Sequence, residues 1–172
     1  MIWDLAPPDL SILTYLIPDK PEYVSAVGID HTGRGTVDVA YVTLHFASNF
    51  IAHFHVNWLS PVKVRQNLIG GSRRMLVYDD MQPSEKVRVY DRGIEVTSQE
   101  GMYKALVDYR MGDMWSPKLE LREALSVECE HFADCVRSGK MPRSHGESGL
   151  AVVQILEAAS RSMARHGSRV AV

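Results

Sequence analysis

The spacing of apolar residues changes twice along the chain. Between Asp4 and Leu16, Leu10, Leu13 and Leu16 recur on one face of a predicted helix. Pro7 and Pro8 suit its first turn, where a missing N–H costs little. Asp9 puts a carboxylate near the positive end of the helix dipole. From Tyr23 to Ser98 the period becomes two: Val37, Val39, Tyr41 and Thr43 alternate with Asp38, Ala40, Val42 and Leu44. Further strands are expected over residues 49–58, 62–69, 74–78, 86–90 and 93–97. Gly33-Arg34-Gly35, Ala47-Ser48-Asn49, Gly70-Gly71-Ser72 and Asp91-Arg92-Gly93 supply the turns between them. Connections this short join antiparallel strands.

After Pro117 the helical period returns. Leu121, Leu125, Phe132 and Val136 fall on one stripe, and Ser138-Gly139 stops that helix. A last helix, over about residues 148–165, turns Val152, Leu156, Ala159 and Met163 inward and Gln154, Glu157, Arg161 and Arg165 outward, with Gly167 ending it. The pattern predicts a single α+β domain over residues 1–172: a large, open, mostly antiparallel sheet with helices packed on one face.

Composition narrows the function. The 172 residues are 45% apolar and 23% charged, with a formal net charge of −2, which provides no broad basic surface for nucleic acid or an anionic membrane. No apolar run is long enough to span a bilayer, and no leader is read at the amino terminus. Cys129 and Cys135 lie six apart on one predicted helix, on different faces, so they are not expected to pair. The eight Met and two unpaired Cys suit a cytoplasmic protein.

Several side chains could carry chemistry. His53, His55 and Asn57 share one face of a predicted strand, opposite Ala52, Phe54, Val56 and Trp58. With His45 across the turn, the histidines could ligate zinc or line a wet or partner-covered sheet face. Lys63 and Arg65 stand two apart on a predicted strand; both could grip one phosphate or carboxylate, or could pair with Asp79, Asp80 or Glu85. Asp79 and Asp80 are adjacent and point apart on a strand, so they suit a strand end or turn. Gly33-Arg34-Gly35 begins like a dinucleotide fingerprint but is followed by a strand where a helix is required. Glu128-Cys129-Glu130-His131 reads as a surface patch.

Three groups of residues resemble one family: Trp3-Asp4-Leu5-Ala6-Pro7-Pro8-Asp9-Leu10, Asn57 through Arg65, and Ile69-Gly70-Gly71-Ser72-Arg73-Arg74-Met75. Glu85 through Asp91 and Gly149 through Ala159 extend the likeness over essentially the whole chain. The family is that of glucose–fructose oxidoreductase, inositol dehydrogenase and MocA (Gfo/Idh/MocA), and the resemblance is to its carboxy-terminal domain, with members acting on nucleotide sugars most similar.

The resemblance implies that a Rossmann domain, not read in this sequence, would bind NAD or NADP, while this domain contacts substrate and dimerises through its sheet. It matches Asp4 to the Asp of a motif whose His, four positions on, is here Pro8, a residue that cannot shuttle a proton. The catalytic Lys of the family belongs to the Rossmann domain, and Glu85-Lys86-Val87 is not its motif. Asp4, Asn57, Lys63 and Arg65 are therefore the expected substrate contacts. No catalytic, cofactor or metal residue is expected in this chain. Its expected partners are a sugar or nucleotide sugar and a second copy of itself. Two alternatives stand beside this: an interaction module that dimerises or docks on a longer relative without binding sugar, and a metal-dependent hydrolase or lyase built on the histidines.

Overall fold

The computed structural model describes residues 1–91, 93–95, 108–110, 112–120 and 122–172. Its elements confirm an α+β fold with antiparallel pairing throughout. Two compact units account for it: Met1–Pro61 with Ala124–Val172, and Val62–Glu123.

The first unit opens with α1 (Ile2–Leu5) and α2 (Pro7–Leu16), where the sequence pattern predicts one helix. Pro7 and Pro8 have no N–H for the carbonyls of Trp3 and Asp4, so the hydrogen-bond ladder breaks at Ala6. Strands β1 (Pro21–Ile29), β2 (Val39–Phe46) and β3 (Ile51–Asn57) follow. With β10 (Val170–Ala171) they form a sheet in the order β10-β1-β2-β3. Pro21, at the start of β1, occupies a place where a proline is tolerated in a sheet. Two helices also belong to this unit, α3 (Ala124–Ser138) and α4 (Gly146–Ala164).

The inner face of this sheet carries Val24, Ala26, Ala40, Val42, Leu44, Ala52 and Val56 into one core with Val152, Ile155, Leu156, Ala158 and Ala159 of α4 and Leu10 of α2. Alanines on both surfaces let α4 lie close to the sheet. Gly28 marks the tightest approach, since a Cβ there would come within 2.6 Å of Val37 Cγ1 and 2.9 Å of Met163 Sδ. Ser162, fully buried, fastens the layers: its hydroxyl accepts from the Ala26 amide at 2.8 Å and donates to the Ser168 carbonyl at 2.6 Å. It thereby satisfies a β1 edge group beyond the end of the short strand β10. Gly167, at φ +85°, turns the chain out of α4 toward β10.

Helix α3 departs from expectation. It ends at Ser138 before Gly139, at φ +67°, as predicted, but it buries no residue. Leu125, Phe132 and Val136 are 66%, 64% and 68% exposed, and Leu121 lies outside the described residues. Periodicity reveals an apolar face; it does not guarantee that this chain covers it.

The second unit holds β4 (Gln66–Gly70), β5 (Met75–Asp79), β6 (Val87–Tyr90) and β9 (Met114–Trp115) as a sheet in that order. A two-stranded ribbon joins β7 (Gly93–Glu95) to β8 (Asp108–Arg110). Gly70-Gly71-Ser72 forms the β4–β5 turn as expected, closed by the Gly71 amide on the Arg74 carbonyl. Val77 is its buried centre, and the Arg74 guanidinium lies 5.1 Å from the centre of the Trp115 ring. The strand expected over residues 93–97 is described only as far as Glu95.

Candidate functional site

Asp4 meets Trp58, the residue after Asn57, at one corner of the first unit. The Trp58 indole Nε1 donates to Asp4 Oδ2 at 3.0 Å, and Asn57 Oδ1 accepts from the Leu59 amide at 2.7 Å. That bond turns the chain sharply after β3 and swings Trp58 toward α1. The Trp58 amide in turn donates to the Asp38 carbonyl. Asp4 is exposed, with a carboxylate fixed by the indole and open to solvent, while Asn57 is partly committed to its own turn. Pro8 is exposed near the start of α2. Trp58, the group that organises this corner, was not foreseen as a site residue. An indole donor 54 residues from its acceptor leaves no spacing signal in a sequence.

Asp38 supports the same corner from below. It is buried, and its carboxylate accepts from the amides of His31 and Thr32 at 3.0–3.1 Å, with His31 Nδ1 at 3.2 Å. Burial alone would raise its pKa, but these hydrogen bonds outweigh burial and hold the carboxyl below the ordinary carboxylate range. In the same loop Asp30 accepts from the amides of Arg34 and Gly35.

Those contacts decide how the glycines are used. The Gly33-Arg34-Gly35 loop joins β1 to β2, and its amides already serve an aspartate. Gly70-Gly71 closes a hairpin. Among the described residues no glycine-rich strand end leads into a helix, so they do not fit the pyrophosphate of a dinucleotide.

Lys63 and Arg65 correct a sequence expectation. Residues 62–65 form no strand, and β4 begins only at Gln66. Alternation therefore does not set these two side chains on one face. Both belong to the second unit, apart from Asp4 and Asn57. Arg65 instead takes up an ion pair, 3.8 Å from Asp80, and Lys63, two residues before it, is exposed. The physical reason is the partner strand: β5 ends at Asp79, opposite Gln66, so no described strand lies beside residues 62–65.

Asp80 is the centre of that second cluster. Lys86 Nζ donates to it at 3.0 Å and the Tyr78 hydroxyl at 3.1 Å. The Lys86 hydrogen bond, followed by that of Tyr78, holds the Asp80 carboxyl below its usual range. The same bond to Asp80 raises Lys86. Burial, then Asp80, raises Tyr78. Asp79 ends β5 and pairs with Arg88 at 3.8 Å, so the adjacent acids serve separate partners, as the alternation argument expects. Lys86 is a salt-bridge residue here.

The outer face of the first sheet forms another candidate surface. The register sets Val27 beside Tyr41 beside His55, then Ser25, Thr43 and His53, then Tyr23, His45 and Ile51. Tyr41 stacks on His55 with ring centres 4.7 Å apart and planes 8° apart, and lies 5.9 Å from the His53 ring. His53 Nδ1 is 3.0 Å from the Thr43 hydroxyl, and His45 Nε2 is 3.5 Å from that of Ser25. The histidines thus engage hydroxyls and a tyrosine ring. No group of three metal-ligating side chains occurs among the described residues. Nor, among them, is any helix long and apolar enough to cross a membrane.

Residues 1–77 match the GFO/IDH/MocA C-terminal domain family. No curated protein matches the sequence. Among solved structures, UDP-N-acetylglucosamine 3-dehydrogenase GnnA from Acidithiobacillus ferrooxidans is similar with a TM-score of 0.75 at 18% identity, covering 95% of this chain and 47% of that one. Aldose-aldose oxidoreductase from Caulobacter crescentus gives 0.73 at 18% identity, over 99% of this chain and 47% of its own. GenD2 from gentamicin A biosynthesis, solved with NAD, gives 0.71 at 22% identity, over 99% and 47%. The chain thus spans about half the length of these structures, and identities this low establish the shared fold. The resemblance read from the motifs holds: the first 77 residues carry the Gfo/Idh/MocA carboxy-terminal domain signature, and nearly the whole chain has the fold of half of such an oxidoreductase.

Proposed function

We propose that this chain is the substrate-binding and dimerisation domain of an NAD(P)-dependent sugar or nucleotide-sugar oxidoreductase, and that it needs a separate cofactor domain for hydride transfer. The observation that carries the reading is the composition of the outer sheet face. Tyr23, Ser25, Val27, Ile29, Val39, Tyr41, Thr43, His45, Ile51, His53, His55 and Asn57 include no Asp, Glu, Lys or Arg. Tyr41 is 44% exposed there and Ile51 61%. A broad apolar and aromatic patch without charge suits a second copy of itself, because a two-fold axis then opposes no like charges. The family match and the sugar substrates named for GnnA and the aldose-aldose enzyme support the substrate class.

Within this reading the Asp4–Trp58 corner holds sugar hydroxyls: a carboxylate oxygen accepts from them, and the indole offers a flat apolar face of the kind that sugar rings stack on. Pro8 can supply no proton, so oxidation of a bound hydroxyl requires a base from elsewhere. Sedimentation at neutral pH and a thermal-shift panel of free and nucleotide-linked sugars test the two parts separately. A dimer stabilised by at least one nucleotide sugar is expected. A dimer that no sugar stabilises would favour the interaction module, and a 19 kDa monomer would overturn the dimerisation role.

A further inference from the structure

Beyond the sheet and the Asp4 corner, the carboxyl end of α3 and the loop after it enclose a recess of about 600 Å³ lined by His131, Asp134, Cys135, Arg137, Lys140 and Arg143. His131 Nε2 accepts the Arg143 amide at 3.1 Å. Both ring nitrogens lie near Cys135 Sγ, Nε2 at 3.7 Å and Nδ1 at 3.9 Å. Arg137 is paired with Asp134 at 2.8 Å, whereas Lys140 and Arg143 have no acidic partner among the described residues. The recess therefore combines a partly exposed thiol, an imidazole beside it and two surplus positive charges.

The same helix carries its own contrast. Cys129 is exposed and lies between Glu128 and Glu130, also exposed. The two thiols differ in the sign of the charge around them. Each is accessible, so local field rather than burial sets the difference between them.

We infer that the recess directs Cys135 to thiol–disulfide exchange with small disulfides that carry carboxylates. The Cys135 thiolate attacks one sulfur of the disulfide, a new S–S bond forms to the protein, and the old S–S bond breaks. The departing thiolate keeps that bond's electron pair and takes a proton from water. No further oxidant is consumed. Lys140 and Arg143 draw in the carboxylates, and the His131 ring lies beside the reacting sulfur.

The test follows modification of both cysteines in the whole chain by peptide mass mapping, with three probes: oxidised glutathione (anionic), 2-hydroxyethyl disulfide (neutral) and cystamine (cationic). The ratio of Cys135 to Cys129 modification is expected to be about tenfold higher with glutathione disulfide than with cystamine at low salt. It should converge on the neutral-probe value at about 0.5 M salt, where charges are screened beyond a few ångströms. The K140Q/R143Q variant changes two exposed side chains and is expected to lose the preference while keeping the far-UV spectrum and melting temperature. Equal ratios with all three probes, a preference that survives in that variant, or no reaction at Cys135 would each overturn the inference.

Discussion

Trp58 and Asp4 join the two ends of the first compact unit's helix–sheet corner: the indole N–H lies 3.0 Å from a carboxylate 54 residues earlier. The bond links the turn after β3 to α1, and it is charge-assisted but solvent-exposed. Trp58→Phe and Asp4→Ala should each cost about 1 kcal/mol in urea denaturation. The double variant should cost less than their sum, because both remove one interaction. Strict additivity would mean that the bond does not form in solution.

Ser162 is more critical to folding. Ser162→Ala leaves the buried Ala26 amide without its acceptor and removes the donor to the Ser168 carbonyl, at a cost of about 1–3 kcal/mol. Ser162→Thr keeps the hydroxyl but adds a methyl in a site with no exposure, and should be destabilised by overpacking instead. Amide exchange at Ala26 distinguishes them: it should accelerate in the alanine variant and stay slow in any folded threonine variant.

The acid limb of stability rests on lowered carboxylates, among them Asp30, whose burial is outweighed by hydrogen bonds from the Gly35 and Arg34 amides. Asp38 and Asp80 have folded pKa values below the ordinary range. Each thus adds stability that is present above its unfolded value of about 3.9 and lost as pH falls through the folded value. Lys86 is shifted upward, so its contribution is present below its unfolded value of about 10.4 and is lost as pH rises through the folded one. Asp38→Asn should flatten the acid limb below about pH 4. Asp80→Asn should flatten both the acid and alkaline limbs, and unchanged limbs in urea titrations across pH would contradict the pairing.

Tyr41 stands at the middle of the outer sheet face. Tyr41→Lys leaves the core untouched, since the side chain points away from it, but sets like charges against each other across a two-fold axis. Sedimentation should show the variant as a monomer with an unchanged melting profile at low concentration. A Tyr41→Lys dimer would place the interface elsewhere.

Position 28 tests the close contact of helix and sheet. A methyl at Gly28 meets Val37 and Met163 below 3.0 Å. Gly28→Ala should therefore cost about 1–3 kcal/mol. Adding Met163→Ala should recover part of that loss if the sulfur is the obstacle, as urea midpoints would report.

Local pattern was enough for the elements that depend on nearby residues. The alternation of Val39 through Leu44 divided the residues of β2 between two faces, because successive side chains on a strand must face opposite ways, and left to packing which face the helices cover. The Val152–Met163 spacing set the buried face of α4, and Gly139 and Gly167 marked helix ends because their backbones need positive φ. The motif strings also carried the resemblance that the family match over residues 1–77 supports. Tertiary structure decided the rest, for reasons of distance. Only three-dimensional packing joins Trp58 to Asp4, turns Ser162 into the partner of Ala26, and commits Asp80 to Lys86 and Arg65. The end of β5 opposite Gln66 kept Lys63 and Arg65 off the strand that alternation suggested for them, and α3 left its apolar stripe exposed although its period matched that of a buried helix. A sequence determines what a segment can bury; which surface lies opposite is set by the packing of the whole chain.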